Sequence, residues 1–188
     1  MIMIVNKKRF CTCVSFLVLF LVLIIVLVSI PLKKSMYPVK YKNVVETCCR
    51  EYSLDKNLVY AIIKTESNFK KDALSHKGAK GLMQVTDDTA KWCIEKFNLS
   101  VSDDVYDERS NITIGCAYLS YLMEHFSGEI TSVIAAYNAG QGNVSKWLSD
   151  KRYSDDGKTL KKIPYEETRE YVKKVLNRRD IYIEMYEK

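Results

Sequence analysis

The chain has 188 residues, a formal net charge of +6 and a hydrophobic fraction of 47%. Three cations precede residue 10, which leaves about +3 on the remainder; this mild positive charge suits an anionic surface and is far below that of a nucleic-acid-binding domain. The sequence has no low-complexity tract, internal repeat or block of like charge, and the part beyond residue 30 is long enough for one domain with a hydrophobic core.

The N-terminal segment has the composition of a membrane-spanning helix. Residues 10–30 carry no charge, and about 20 apolar residues suffice to cross a bilayer. The basic run Lys7-Lys8-Arg9 predicts that residues 1–9 are cytoplasmic. The apolar run exceeds the roughly 7–15 residues of a cleaved signal peptide and ends in a poor cleavage site. We therefore predict a single-pass signal anchor over 10–30 in the cell membrane, with an extracytoplasmic body.

The rest of the chain is predicted to be a tether, residues 31–41, and one α-rich domain, residues 42–188. Apolar residues recur at helical spacing over 42–52, from Asp55 to about Ser67, and then over 87–98, 111–126, 130–138 and 143–149. Asn111 is the predicted N-cap of one helix, and Pro164 the start of the last. Between Ser67 and 87 the periodicity stops, which predicts a small irregular lobe with at most a short β-hairpin.

Cysteine and histidine are arranged in a way that does not favour a metal site. Four cysteines beyond the N-terminal segment each lie on an apolar helical stripe: Cys48, Cys49, Cys93 and Cys116. We interpret them as small buried hydrophobes, while one disulfide in an oxidising exterior stays open. The sequence has no C-x-x-C pair, and its two histidines, His76 and His125, are far apart. No metal and no cofactor are expected.

Glu66 is the first candidate for chemistry. Leu58, Ile62 and Glu66 are four residues apart, so a helix places them on one apolar face. A carboxyl group on such a face loses solvation, which raises its pKa and keeps it protonated near neutral pH, as a general acid requires. The alternative is a structural carboxylate at the rim of the face, which is common.

Several separated blocks of the sequence resemble a known family. They are ESNF from Glu66, ALSHKGAKGLMQVTDDTA, NITIGCAYLSYL, AAYNAGQGNV and IPYEETREYV, in this order. Together they resemble the soluble lytic transglycosylases, which belong to the goose-lysozyme-like glycosidase family of the lysozyme-like superfamily. The resemblance covers about residues 42–180 and implies a mainly α, lysozyme-like α+β fold.

Residue by residue, the resemblance implies that Glu66 is the catalytic acid and base. It also implies these substrate-binding residues: Ser75, Met83, Gln84, Tyr137, Asn138 and Glu167. Tyr137 and Met83 can equally be core residues, and Asn138 a helix end. After Gln84 the chain reads Val85-Thr86-Asp87, where many relatives have an apolar residue, Met and Pro, so one wall of the expected cleft differs.

The resemblance implies cleavage of the β-1,4 bond between N-acetylmuramic acid and N-acetylglucosamine in peptidoglycan, with formation of a 1,6-anhydromuramyl end. Two alternatives stay open: a hydrolytic goose-type muramidase, and a non-catalytic peptidoglycan-binding module of an envelope-spanning apparatus. The implied partners are peptidoglycan glycan strands and the membrane, through the N-terminal helix, but no nucleic acid. Membership of an envelope or secretion complex is left open.

Overall fold

The computed structural model describes residues 7–102 and 104–187, and the chain divides into the units Met1–Pro38 and Val39–Lys188. In the first unit, helix α1 spans Lys7–Met36 and continues through part of the predicted tether. Its described apolar side chains, Phe16 to Ile24 among them, are exposed. Within the described residues, no helix combines the length and hydropathy that a bilayer crossing demands. The predicted transmembrane helix is therefore not confirmed.

The second unit is helical, as predicted. Its helices are α2 (Lys42–Glu51), α3 (Lys56–Glu66), α4 (Asp87–Phe97), α5 (Glu108–His125), α6 (Ile130–Ala139), α7 (Gln141–Leu148) and α8 (Glu166–Tyr186). The segment between α3 and α4 forms only isolated bridges, between Leu74 and Lys80 and between Lys80 and Val85. The predicted β-hairpin is not confirmed over the described part of the chain.

Helix α3 forms the centre of this unit. Leu58, Val59, Ile62 and Ile63 are buried on several of its faces, and its largest helix contact is with α8. The carboxylate of Asp55 caps α3 by accepting a hydrogen bond from the backbone N–H of Asn57 at 2.8 Å. The same carboxylate pairs with Arg179 of α8 at 2.5 Å. Helix α3 is thus packed along its whole length, and this packing fixes the position of its last residue, Glu66.

Two predicted helix starts are wrong. Helix α5 begins three residues before Asn111, because the carboxylate of Asp107 accepts from the backbone N–H of Ser110 at 2.8 Å and caps the helix. Asn111 is fully buried and makes tertiary hydrogen bonds instead. Helix α8 begins at Glu166 and not at Pro164.

The four cysteines of the helical unit are buried, as predicted, and the structure holds each as a free thiol.

Candidate active site

Glu66 is the last residue of α3, and the residues after it fix where the helix ends. The backbone N–H of Ser67 donates to the carbonyl of Ile63 at 3.1 Å, and the Ser67 hydroxyl donates to the carbonyl of Leu82 at 2.8 Å. Asn68 and Phe69 then adopt positive φ, which reverses the chain. The carboxyl group of Glu66 therefore leaves the helix where its apolar face meets an open cleft.

The cleft has a volume of about 360 Å³ and lies between the 75–86 segment, α5, α6 and the start of α8. A second cavity of about 310 Å³ adjoins it and shares Glu66, Asn138 and Glu167 with the cleft. The second cavity is completed mainly by one side of α8, with Tyr171, Lys174 and Arg178. Glu66 consequently borders both cavities, as suits an acid that acts on a bond within an extended ligand.

The surroundings of Glu66 raise the pKa of its carboxyl group. Burial raises the pKa of the Glu66 carboxyl to about 7, the hydrogen bond from Tyr171 opposes this rise, and the negative charge of Glu167 adds to it. The Tyr171 hydroxyl donates to Glu66 Oε1 at 2.6 Å. A large fraction of the carboxyl is therefore protonated at neutral pH, which suits a group that first donates a proton and then accepts one.

Five of the six predicted binding residues line the cleft together with Glu66: Ser75, Gln84, Tyr137, Asn138 and Glu167. The amide nitrogen of Gln84 donates to the carbonyls of Ala73 and Gly81 at 3.1 and 3.0 Å. These bonds fix the amide, so its oxygen is the atom left to accept from a ligand. The hydroxyl of Ser75 accepts from the backbone N–H of Ala79 at 3.0 Å and so shapes the loop at the cleft edge.

Tyr137 and Asn138 form the α6 side of the cleft. The Tyr137 hydroxyl donates to the carbonyl of Met83 at 3.0 Å, and burial raises the pKa of Tyr137 well above its usual range, so the phenol stays neutral. The Asn138 side-chain oxygen accepts from the hydroxyl of Thr168 of α8 at 2.8 Å. Both side chains are therefore held by neighbouring elements before any ligand binds.

Met83 is the predicted binding residue that the structure does not bring into the cleft. Its side chain is fully buried and packs so tightly against Gly115 that a Cβ at that glycine would lie 2.5 Å from the Met83 sulfur. Only its backbone carbonyl is connected to the site, through Tyr137. Within the described residues, no group of three or more His, Cys, Asp or Glu side chains could hold a metal ion.

The transglycosylase SLT domain family matches residues 44–160, which contain Glu66 and most of the cleft. The chain belongs to this family. The resemblance that the sequence blocks predicted is thereby confirmed.

Curated relatives are identical to this chain at about a third of the aligned positions. Soluble lytic murein transglycosylase of Escherichia coli K12 is 33% identical over an alignment of 144 residues, and the alignment covers 74% of this chain and 22% of that protein. Membrane-bound lytic murein transglycosylase C of Cronobacter sakazakii is 36% identical over an alignment of 124 residues, and the alignment covers 60% of this chain and 34% of that protein. The chain spans between about a fifth and a third of the length of these relatives.

Solved structures of SLT proteins have the same fold. An inactive glutamate-to-glutamine mutant of lytic transglycosylase Slt from Pseudomonas aeruginosa superposes with a TM-score of 0.69 at 34% identity, covering 79% of this chain and 24% of that one. The 70 kDa soluble lytic transglycosylase of Escherichia coli gives a TM-score of 0.73 at 29% identity, covering 81% of this chain and 25% of that one. The predicted lysozyme-like helical fold is in agreement with both.

Sequence reasoning missed several residues of this SLT site. Tyr171, which donates a hydrogen bond to Glu66, is not among the site residues that the sequence predicts. The sequence does contain a pattern that could have identified it. Tyr171, Lys174 and Arg178 follow the predicted site residue Glu167 at helical spacing, so they share its face of the last helix. Thr86, at the position where the sequence departs from many relatives, caps α4 and lines the cleft.

Proposed function

We propose that this chain is a lytic transglycosylase that cleaves the β-1,4 bond between N-acetylmuramic acid and N-acetylglucosamine in peptidoglycan. The observation that carries the proposal is the state of Glu66: a carboxyl at the floor of a cleft, with a pKa raised to about 7 and a hydrogen bond from Tyr171. Membership of the SLT family and the names of the relatives support this substrate.

In the proposed reaction, Glu66 acts twice. The protonated carboxyl first donates its proton to the glycosidic oxygen, while the 2-acetamido group of the muramyl sugar stabilises the cationic centre from the opposite face. The ionised carboxylate then accepts the proton of the C6 hydroxyl of the same sugar, and that oxygen attacks C1. The product is a 1,6-anhydromuramyl end. A pKa near neutrality serves both steps, and the intramolecular nucleophile has an entropic advantage over water.

The remaining cleft residues position the strand. The two cavities that Glu66 borders provide room for the sugars that flank the scissile bond. The Gln84 amide oxygen and the Asn138 side chain provide hydrogen-bonding groups at fixed positions for N-acetyl and hydroxyl groups. Ser75 and Glu167 contribute further polar groups to the cleft lining.

The test is digestion of purified peptidoglycan by the full chain and by Glu66→Gln, followed by mass spectrometry of the soluble fragments. We expect 1,6-anhydromuramyl products from the wild type and a fall in rate of about 10²–10⁴-fold in the variant, since that is the usual contribution of a general acid–base. Glu46→Gln is the matched control, because Glu46 lies on α2, outside the cleft lining. Full activity of Glu66→Gln would rule out the mechanism, and binding without any cleavage by the wild type would indicate the non-catalytic module.

Hydrolysis is the second candidate, and Glu167 is the observation that favours it. Glycosidases that use water generally need a second carboxylate, and Glu66 and Glu167 are the two carboxylates among the described residues of the cleft lining. In the hydrolytic mechanism Glu167→Gln abolishes turnover and the wild type releases reducing muramyl ends. In the transglycosylase mechanism the variant keeps turnover and the product stays anhydro.

Membrane attachment through residues 10–30 is a further part of the proposal. It is supported by the absence of charge over this segment, by the exposure of the described apolar side chains of α1, and by relatives named membrane-bound.

Two arginines in place of Leu19 and Leu23 should disfavour insertion by roughly 2.5 kcal/mol each. We expect the full chain to stay with membranes in alkaline carbonate and the double variant to be released. Leu74→Arg, an exposed leucine of the helical unit, is the control; release of the wild type would contradict attachment.

A further inference from the structure

A larger cavity, of about 660 Å³, lies on the helical unit away from the proposed cleft and shares no lining residue with it. It is formed by α2, the chain after α4 and the first turns of α5, with a mixed polar lining that includes Arg109 and Thr113. Cys48 lies in this lining, and none of the other described cysteines does. A small reagent that enters the cavity therefore meets the Cys48 thiol.

Cys116 lies on the helix that packs against Cys48. The two residues are on α2 and α5, which pack against each other. The sulfur of Cys48 is 3.7 Å from the hydroxyl of Thr113. Thr113 lies one helical turn before Cys116, so both residues are on the face of α5 that meets α2. Cys116 has no solvent exposure. Two thiols that are 68 positions apart in the sequence are thus neighbours, one reachable from the cavity and one enclosed.

We propose that Cys48 and Cys116 are a disulfide-forming pair, oxidised through the cavity by a small or protein disulfide. In the first step the Cys48 thiolate attacks one sulfur of the oxidant's disulfide and releases a thiolate, which leaves a mixed disulfide on Cys48. Cys116 then attacks the Cys48 sulfur and releases the second thiolate. The two thiolates take up the two protons, so that one disulfide is reduced to two thiols and one disulfide forms between α2 and α5.

The reactivities of the cysteines support this order. The hydrogen bond from Cys116 is the largest influence lowering the pKa of Cys48 to about 7, although burial opposes it, and Thr113 and the charge of Arg109 lower it further. Burial instead raises the pKa of Cys49 and of Cys93 to about 12. Among the four cysteines of the helical unit, Cys48 is consequently the thiol with a large thiolate fraction at neutral pH, and the thiolate is the attacking species.

The bond would constrain the part of the chain that carries the proposed site. The loop between residues 48 and 116 contains Glu66 and the Gly81–Gln84 turn. Closing a loop of this length restricts the unfolded chain, and for a domain of this size we expect a rise of roughly 5–10 °C in the unfolding temperature of the oxidised form. The inference does not depend on the proposed glycan-cleaving activity, because neither thiol lines the cleft.

The experiment uses the full chain in detergent, incubated with glutathione disulfide at neutral pH, alkylated with iodoacetamide and digested for mass spectrometry. We expect a cross-linked pair of peptides that contain residues 48 and 116, and loss of two alkylated thiols. Cys48→Ala and Cys116→Ala should abolish the cross-link. Cys49→Ala and Cys93→Ala are matched controls and should retain it; Cys49→Ala also assigns the bond to residue 48.

Thermal unfolding of the wild type with and without a phosphine reductant gives a second readout that needs no variant. A higher unfolding temperature of the oxidised protein, lost on reduction, supports the proposal. A glutathione adduct on Cys48 without a bond to Cys116, a cross-link that disappears in Cys49→Ala, or unchanged thiols after oxidation would each overturn it. Peptidoglycan digestion is measured in parallel, so that failure of the enzymatic proposal is recognised separately.

Discussion

At the scale of single residues, two side chains of α8 act on the Glu66 carboxyl in opposite directions. The Tyr171 hydroxyl donates a hydrogen bond to it and stabilises its ionised form, while the negative charge of Glu167 disfavours ionisation. Burial is larger than either influence and sets the direction of the net shift. One helix turn therefore provides two independent ways to move the same pKa, and each gives a prediction of known sign.

Removal of the Tyr171 hydroxyl should raise the pKa of Glu66 further. Tyr171→Phe withdraws a bond that favours the carboxylate, so the acid stays protonated to higher pH and the alkaline limb of the activity profile moves up by about one pH unit. The measurement is the initial rate of muropeptide release against pH. Tyr60→Phe is the control, since the Tyr60 hydroxyl is buried and has no hydrogen-bond partner among the described residues. A limb that stays in place in Tyr171→Phe would show that Glu66 is not the titrating acid.

Neutralisation of Glu167 should do the reverse. Glu167→Gln removes the negative charge that raises the pKa of Glu66, so the alkaline limb is expected to move to lower pH by a few tenths of a unit. The position of the limb is the informative quantity, because Glu167 also lines the cleft and its loss affects substrate binding. A shift in the same direction as Tyr171→Phe would contradict this electrostatic account.

At the scale of elements, the Gly81–Gln84 turn is positioned by one buried side chain of α5. Asn111 accepts from the backbone N–H of Met83 at 2.7 Å and donates to the carbonyls of Lys80 and Val105, both at 2.9 Å. The Leu82 carbonyl of this turn accepts a hydrogen bond from the Ser67 hydroxyl. The end of α3, the turn and α5 thus form one hydrogen-bonded unit beneath the cleft.

Gly81 and Gly78 offer a matched test of this unit. Both have positive φ, +75° and +78°, but a Cβ at Gly81 would lie 2.4 Å from the Asn111 amide nitrogen, whereas a Cβ at Gly78 meets nothing within 4 Å. Gly78→Ala should cost only the backbone strain, about 1 kcal/mol, and Gly81→Ala about 3 kcal/mol, because Asn111 must also give up hydrogen bonds. Urea unfolding of the full chain measures both. Equal costs would mean that Asn111 can move freely.

The same unit shows what the sequence could and could not predict. The helices were predictable because their apolar residues recur at helical spacing, and Glu66 because it interrupts such a stripe. Asn111 was wrongly predicted as a cap, since a polar residue before an apolar run has the same appearance whether it faces water or binds another segment. Met83 was predicted as a contact through its neighbours in the motif, but its burial against Gly115 depends on how α5 packs, which spacing alone does not determine.

At the scale of the whole molecule, the buried carboxyl of Glu66 lowers the free energy of unfolding when it is ionised. The pKa of Glu66 is raised from 4.5 to about 7 in the folded protein, so between these pH values the folded state binds a proton that the unfolded state has lost. The free energy of unfolding therefore falls as pH rises through this range, and the full penalty is present above about pH 7. Sites that need a destabilised group generally show such a conflict between stability and activity.

Glu66→Gln should accordingly be more stable than the wild type at pH 8 and equal to it at pH 4. The glutamine is neutral at both values and can still accept the Tyr171 hydroxyl, so only the penalty of the buried charge is removed. After a discount for the partial exposure of Glu66, we expect a gain of about 2 kcal/mol at pH 8. Urea unfolding at the two pH values measures this difference in the free energy of unfolding.

Tyr60→Phe is the control. This substitution does not involve a titration in this pH range, so its difference in stability from the wild type should be independent of pH. A variant with no advantage at pH 8 would mean that the carboxyl is well solvated in the folded protein, which would remove the physical basis for its role as an acid.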